Sequence, residues 1–318
     1  MHYLSYQDLP AGITCIDTML NRPGLAACYL IQEGDCAGLI DTGTNHTVPL
    51  ILELLQRKRI AREQIKYIMP THVHLDHAGG TGRLMAEFPE ATLLIHPRGA
   101  RHMIDPAVLK AGVIDVYGQE TYDRSYGELL PVDASRVQQV ADEFTLDFNG
   151  RPLLFLDTPG HARHHYCIYD AQSQGWFTGD CFGASYPELN QGRQRFIFPP
   201  TTPVQFDPPV WKNTIDRLMS FDPQRVYVTH FGMHEHLPPL AQQLKESIDE
   251  YVAMVEEFRD TTEVHARLSR TLMQYSVNNL LDFDCGLPVE EIQGLLAGDM
   301  KLNAQGLEHW LSVQGKNR

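Results

Sequence analysis

The sequence predicts a layered α/β domain followed by a helical C-terminal extension. In the first third of the chain, short apolar runs typical of strands alternate with helical patterns, which favours helices packed on a sheet. Further strand-like runs lie between residues 144 and 177. After residue 237 the apolar residues recur at helical spacing. We therefore expect an α/β domain over residues 1–236 and a helical extension over residues 237–318.

The strands and helices of the α/β domain follow from apolar runs and from the turn signals between them. Glu33-Gly34-Asp35, for example, separates two apolar runs and predicts a turn between two strands. Residues 12–42 are predicted to form strands, with apolar runs at 28–31 and 37–40. Further predicted strands cover residues 65–69, 92–95, 144–146, 153–156, 166–169, 176–177 and 226–228, and the predicted helices cover residues 50–55, 84–88 and 209–220.

Two long segments, residues 97–135 and 183–209, lack a regular pattern. Long irregular segments in a compact domain are often functional, so we expect them to line a pocket. The first segment contains Tyr117, Tyr122 and Tyr126. These tyrosines either form a lid or a pocket wall, or they are buried packing residues. In the extension, apolar stripes predict helices over residues 240–258, 264–275, 288–297 and 302–312.

The charge of the chain argues against a nucleic-acid partner. Its 318 residues include 40 acidic and 26 basic side chains, which gives a formal charge of −14. Proteins that bind nucleic acid normally carry a basic stripe. The one dense basic run, residues 57–59, follows an apolar helical pattern and fits a solvated helix end. We expect a small-molecule substrate instead.

The sequence also lacks signals for a membrane or for export. No apolar run approaches the roughly 18 residues of a membrane-spanning helix. No basic region followed by an apolar run stands at the N-terminus, so a signal peptide is not expected. The six cysteines form no CxxC pair, and we expect reduced thiols in a cytoplasmic protein.

The strongest chemical signal is the segment Thr71-His72-Val73-His74-Leu75-Asp76-His77-Ala78-Gly79-Gly80, which follows a predicted strand and precedes a predicted helix. On an extended backbone, His72 and His74 point the same way because they are two residues apart. Imidazole nitrogens and carboxylate oxygens are the ligands that zinc and related divalent ions prefer. Four such donors within six residues predict a metal site rather than a polar loop.

Three later strand ends each add one more donor. His161 follows a strand and a Pro-Gly turn, Asp180 ends a second strand, and His230 ends a third. Active sites of α/β sheets collect at the carboxyl ends of strands. We therefore expect these donors at the same site.

This pattern resembles the metallo-β-lactamase superfamily, whose H-x-H-x-D-H motif is complete at residues 72–77. The resemblance covers roughly residues 12–236 and implies a four-layer αβ/βα sandwich with a binuclear metal site at one edge. Zinc is the default metal, and iron or manganese fits the same donors. The ligand set that the resemblance implies is His72, His74 and His161 for the first metal, Asp76, His77 and His230 for the second, and Asp180 bridging both.

Several neighbours of these ligands have weaker assignments. The resemblance places Asp41 behind the metal ligands as a supporting residue. His164 and His165 closely follow the third ligand histidine, and they either pack behind the metal or contact metal or substrate. Tyr186 is a candidate for reaching the reacting oxygen. Cys181 is expected to be a small buried residue.

Three shorter pieces, residues 159–165, 179–183 and 303–307, resemble one prokaryotic subgroup whose relatives include lactonases and phosphotriesterases. The predicted function is therefore a metal-dependent hydrolase of a small ester, lactone or phosphoester. The resemblance implies that metal-activated water attacks a carbonyl or phosphoryl centre. It also implies that Asp180 bridges the metals, and Asp76 is a candidate for relaying a proton to the leaving group.

The main alternative is an iron-dependent oxidoreductase of the same fold, similar to sulfur dioxygenases, which keep the H-x-H-x-D-H pattern. Diiron oxygen-reducing relatives carry a glutamate where His74 stands, which argues against them. A nuclease would carry a basic surface, and a non-catalytic binding module would lose ligands, whereas this chain keeps all seven. The helical extension either covers the active-site mouth or mediates a homodimer.

Overall fold

The computed structural model describes residues 3–192, 194–202, 204–259 and 261–316. This part of the chain divides into two compact units. The first lies within Met1–Asp157, His164–Gly179 and Arg225–Met233, and the second lies within Thr158–Arg163, Asp180–Gln224 and His234–Arg318. None of the helices in the described ranges has both the length and the apolar character that crossing a bilayer requires.

The first sheet has seven strands, β1 (Tyr6–Leu9), β2 (Ile13–Asp17), β3 (Ala27–Glu33), β4 (Cys36–Ile40), β5 (Ile65–Met69), β6 (Thr92–Ile95) and β7 (Val137–Gln139). They lie side by side in sequence order. Neighbours from β1 to β4 are antiparallel, and neighbours from β4 to β7 are parallel. The parallel strands therefore end at the same edge of the sheet.

Six helices belong to the same unit, α1 (Val48–Lys58), α2 (Leu75–Ala78), α3 (Thr81–Glu87), α4 (Pro97–Ile104), α5 (Ala107–Tyr117) and α6 (Gln119–Ser125). The expectation of irregular structure over residues 97–135 was wrong for α4, α5 and α6. The physical reason is clearest in α5, which is rich in apolar residues yet buries none of them. Without a buried face, its sequence has no polar stripe to reveal the helical period.

The second sheet has six strands, β8 (Phe144–Phe148), β9 (Arg151–Asp157), β10 (Tyr166–Asp170), β11 (Gly175–Gly179), β12 (Arg225–Val228) and β13 (Gly232–His234). Their order across the sheet is β13-β12-β11-β10-β9-β8. Neighbours from β8 to β11 are antiparallel, whereas β11 and β12 are parallel. The sequence did not predict β1, β7 and β13, which have only three or four residues each.

A core of aromatic and aliphatic side chains fills the space between the two sheets of the first unit. Tyr29 of the first sheet contacts Phe177 of the second edge to face, with ring centroids 5.4 Å apart. The next residue, Leu30, faces the other side and packs in a separate cluster with Leu54 of α1 and Leu84 of α3. This alternation along β3 is the two-residue period that buries both faces of a strand.

The second unit contains the helices α7 (Pro208–Met219), α8 (Leu237–Glu257), α9 (Val264–Asp282) and α10 (Val289–Lys316). The helical extension is thereby confirmed, but the two short helices predicted over residues 288–297 and 302–312 are one continuous helix. Leu296, Met300 and Leu307 are buried along α10, which packs on α9 and continues through the expected break. The division of the chain at residues 236 and 237 stays a prediction.

Candidate metal centre

Asp41 is a buried carboxylate that joins three strand ends in the first unit. It directly follows β4 and takes a positive φ of 55°, an uncommon conformation for a residue with a side chain. One carboxylate oxygen accepts hydrogen bonds from the main-chain N–H of Thr71 at 2.7 Å and from its hydroxyl at 3.0 Å. The other accepts from His77 Nδ1 at 2.8 Å and from the Thr229 hydroxyl at 2.7 Å. Four donors compensate for the loss of water around this charge.

The histidine-rich segment begins in extended structure after β5 and turns into α2 at His74. His72 is fully buried and His74 is half-buried, and His72 Nε2 lies 2.8 Å from His74 Nδ1. The Thr71 hydroxyl lies 3.2 Å from His72 Nδ1. The two imidazoles therefore point their facing nitrogens at one small volume, as the two-residue spacing predicted.

Asp76, His77 and His230 form a second group in the same unit, with one potential ligand atom from each lying within 4.8 Å of the others. Asp76 Oδ2 is 3.2 Å from His230 Nε2 and 3.6 Å from His77 Nε2. The Nδ1 of His230 donates to the carbonyl oxygen of Leu25 at 2.8 Å. Each histidine thus has its Nδ1 held by an oxygen acceptor while Nε2 faces the carboxylate, which is the usual arrangement of a metal-binding imidazole.

His161 and Asp180 form a pair in the second unit. His161 Nε2 lies 3.2 Å from Asp180 Oδ2, and both side chains are buried. His161 Nδ1 donates to the carbonyl oxygen of Pro200 at 2.8 Å, the same arrangement that His77 and His230 have. Its ring also packs edge to face on Trp211, with centroids 5.7 Å apart.

The other predicted site residues have defined neighbours. In the first unit, His165 is fully buried and stacks on His72 with ring centroids 4.8 Å apart, and the His164 ring lies 5.6 Å from that of His74. In the second unit, the buried Tyr186 donates its hydroxyl to Asp299 at 2.8 Å. Cys181 is also buried, as predicted, and its thiol donates to the carbonyl oxygen of Thr158 at 3.0 Å.

Sequence reasoning missed the groups that hold the histidines in place. Thr71 and Thr229 donate to Asp41, and the carbonyls of Leu25 and Pro200 accept from His230 and His161, two of the predicted ligands. The two threonines had a usable signal, because each directly precedes a predicted ligand at the end of a strand. Main-chain carbonyls leave no signal in a sequence.

The donors in these groups fit a divalent metal. All are imidazole nitrogens or carboxylate oxygens, a set that accepts zinc, iron or manganese. The Nδ1 contacts of His77, His161 and His230 add the outer hydrogen bonds that metal-binding histidines normally have. A buried histidine that served packing alone would not need its second nitrogen directed at an aspartate.

Known proteins resemble this chain in sequence and in fold. The curated protein ST1585 of Sulfurisphaera tokodaii, described as metallo-beta-lactamase fold-containing, is 25% identical over 257 residues, which cover 77% of this chain and 90% of that protein. Its crystal structure matches with a TM-score of 0.65 at 22% identity, covering 94% of this chain and 99% of that chain. The structure of TTHA1429 from Thermus thermophilus, a metallo-beta-lactamase family protein, matches with a TM-score of 0.62 at 18% identity and covers 98% and 93% of the two chains.

A functionally named relative is a probable hydroxyacylglutathione hydrolase of Schizosaccharomyces pombe. It is 26% identical over 197 residues, which cover 61% of this chain and 59% of that protein. The model of the metallo-beta-lactamase superfamily matches residues 21–230, which is more than half of the chain. The fold expected from the H-x-H-x-D-H resemblance is confirmed, and this chain belongs to the metallo-β-lactamase superfamily.

Proposed function

We propose that this protein is a binuclear metal-dependent hydrolase that cleaves a small ester, lactone or phosphoester. One observation carries the proposal. His77, His161 and His230 each donate a hydrogen bond from Nδ1 to a carboxylate or carbonyl oxygen, and each directs Nε2 at an aspartate. Membership of a superfamily that includes metal-dependent hydrolases supports it.

The proposal keeps the ligand assignment that the superfamily resemblance implies. In that assignment His72, His74 and His161 would hold one metal ion, Asp76, His77 and His230 would hold the other, and Asp180 would be shared by both. When bound, two divalent ions supply a water of lowered pKa and polarise the bond that is to be broken.

The residues of this chain prepare the site in three ways. The charge of Asp41 keeps the proton of His77 on Nδ1 and so leaves Nε2 as the ligand atom. The Leu25 carbonyl does the same for His230. Asp76 is 24% exposed, so its carboxylate is accessible to a substrate and can pass a proton to the leaving group.

We propose that one more side chain, Tyr126, contacts the substrate. Its ring lies 6.1 Å from that of Tyr117, and its main-chain carbonyl accepts from the Asn45 N–H at 3.3 Å. Burial first, and then the charges of Tyr117 and Asp76, raise the pKa of Tyr126 well above its usual value. The phenol also forms a hydrogen bond with Tyr117. We propose that this neutral hydroxyl contacts a substrate oxygen when the substrate binds.

The experiment that tests the proposal is metal analysis of protein purified without chelator, followed by hydrolysis rates on lactones, aryl esters, thioesters and phosphotriesters. We expect about two zinc or manganese ions per chain and turnover that His72→Ala abolishes. His265→Ala is the matched control, because His265 lies on α9 outside the candidate centre and is 39% exposed. It is expected to retain both metals and activity.

One iron per chain, with oxygen consumed on thiol substrates and no hydrolysis, would contradict the proposal. That result would assign the protein to the iron-dependent alternative, similar to sulfur dioxygenases. Full hydrolysis by His72→Ala would contradict the ligand assignment instead.

A further inference from the structure

The second unit shows how one predicted ligand is held in place. His161 Nδ1 donates to the carbonyl oxygen of Pro200, which lies in the long loop before α7. The same loop is tied to the segment around His161 at a second place, where Asp207 donates its N–H to the carbonyl oxygen of Gly160 at 2.8 Å. The orientation of the His161 ring therefore depends on the position of this loop.

One face of α10 fixes the loop at that point. The Asn303 side chain accepts from the N–H of Thr201 at 2.7 Å and donates to the carbonyl oxygen of Pro199 at 3.1 Å. The Thr201 hydroxyl donates to the main-chain carbonyl of Asn303 at 3.2 Å. These three bonds hold the residues on both sides of Pro200, and Asn303 is only 1% exposed.

Two more residues of the same helix face touch this loop. Asp299 accepts the Tyr186 hydroxyl, and Gly306 lies so close to Thr201 that an added Cβ would overlap the carbonyl oxygen of that residue. Positions 299, 303 and 306 are four and three residues apart and therefore lie on one side of the helix. The loop is held along about two turns of α10.

We propose that α10 is part of the metal centre and that Asn303 is a positioning residue for the ligand His161, acting through the Pro200 carbonyl. The inference rests on the proposed role of His161 as a metal ligand. It gives the C-terminal helix a function besides the cover and the dimer interface that its sequence suggested. Outer hydrogen bonds of this kind change metal affinity when they are lost.

The test measures metal binding rather than turnover. Asn303→Ala removes two of the three bonds, and we expect zinc affinity to fall by about tenfold or more. The visible spectrum of the cobalt-substituted protein is expected to change as well, because it reports the arrangement of the ligands. Thr201→Val removes only the hydroxyl bond to α10, and a smaller loss of about threefold is expected.

Ser276→Ala is the matched control. Ser276 is buried on α9 and contacts Met300 of α10, so its loss disturbs the helix packing without touching the loop. We expect this variant to be less stable but to keep the zinc affinity and the cobalt spectrum of the wild type. Chemical denaturation of all variants separates stability from metal binding.

The outcomes distinguish this inference from the proposed function. If His161→Ala binds two zinc ions as tightly as the wild type, His161 is not a ligand and the proposed assignment fails, taking the inference with it. If His161→Ala weakens binding while Asn303→Ala and Thr201→Val do not, the ligand assignment stands and the inference is overturned. A failure of Asn303→Ala to fold leaves the decision to Thr201→Val.

Discussion

The exchange Asp41→Asn tests the reasoning about the metal centre most directly. It replaces one carboxylate oxygen by an NH2 group and leaves the shape of the side chain unchanged. The remaining oxygen can still accept from the N–H and hydroxyl of Thr71. The new NH2 group faces His77 Nδ1 and the Thr229 hydroxyl, both of which donate to the carboxylate in the wild type.

The expected cost follows from these contacts. The Thr229 hydroxyl can rotate and accept, so its bond survives in reversed direction. The His77 ring can likewise change tautomer, so that Nδ1 accepts from the new NH2 group while a proton on Nε2 faces the Asp76 carboxylate. Both bonds are then made to a neutral amide instead of a carboxylate. A hydrogen bond to a charged group contributes about 1.5–3 kcal/mol, against about 1 kcal/mol for a neutral one, so we expect the free energy of unfolding of the metal-free protein to fall by about 1–3 kcal/mol.

The exchange also weakens metal binding, which is a separate effect. Without its acceptor, His77 loses the preference for a proton on Nδ1, and zinc affinity is expected to fall by about 10- to 100-fold. Urea unfolding of the metal-free protein measures the first effect. Competition with a coloured zinc chelator measures the second.

Asp170→Asn is the control for this prediction. Asp170 is also a fully buried carboxylate, but it pairs with Arg151 rather than with a histidine. Its exchange is expected to lower stability without changing zinc affinity. If Asp41→Asn binds zinc like the wild type, or if Asp170→Asn weakens zinc equally, then Asp41 does not act through His77 and the reasoning is refuted.

Three further predictions concern other parts of the chain. Gly306→Ala is expected to lower the free energy of unfolding by about 2 kcal/mol or more because its Cβ overlaps a neighbouring carbonyl, whereas Gly298→Ala, with open space around it, is expected to raise it by about 0.5–1 kcal/mol in thermal unfolding. Tyr126→Phe is expected to lower kcat/KM by about tenfold with unchanged zinc content, and an unchanged kcat/KM would remove the phenol from the substrate contact. Burial raises the pKa of the Cys15 thiol from 9.0 to about 12, so the stability that the neutral thiol contributes is complete below pH 9 and is lost as the pH rises towards 12. Cys15→Ala is expected to flatten the decline of stability above pH 9, and an equally steep decline in this variant would contradict that origin.

The sequence by itself identified the superfamily and the candidate metal ligands. Residues 71–80 carry four side chains suited to metal binding within six positions, and their place between a strand and a helix follows from local apolar patterns. The strand ends at His161, Asp180 and His230 were predictable for the same reason. Such signals are local, because the ligand type and the strand end stand next to each other in the chain.

The helices of residues 97–125 were not predictable from periodicity. Helix α5 fully buries none of its apolar residues, and they do not alternate with a polar face, so the pattern that marks an amphipathic helix is missing. Helix α10 continues through a predicted break because its buried residues pack on α9. For α10, tertiary packing rather than local propensity decided the structure.

Only the tertiary structure decided how the predicted ligands are oriented. The acceptors that hold His161 and His230 are carbonyl oxygens of Pro200 and Leu25, and every residue of a chain carries such a group. The contacts of Asn303 could not be predicted from the sequence either, because about 100 residues separate it from the loop that it holds. Sequence patterns reveal which side chains are present and on which element they lie, whereas contacts between distant main-chain groups exist only after the chain has folded.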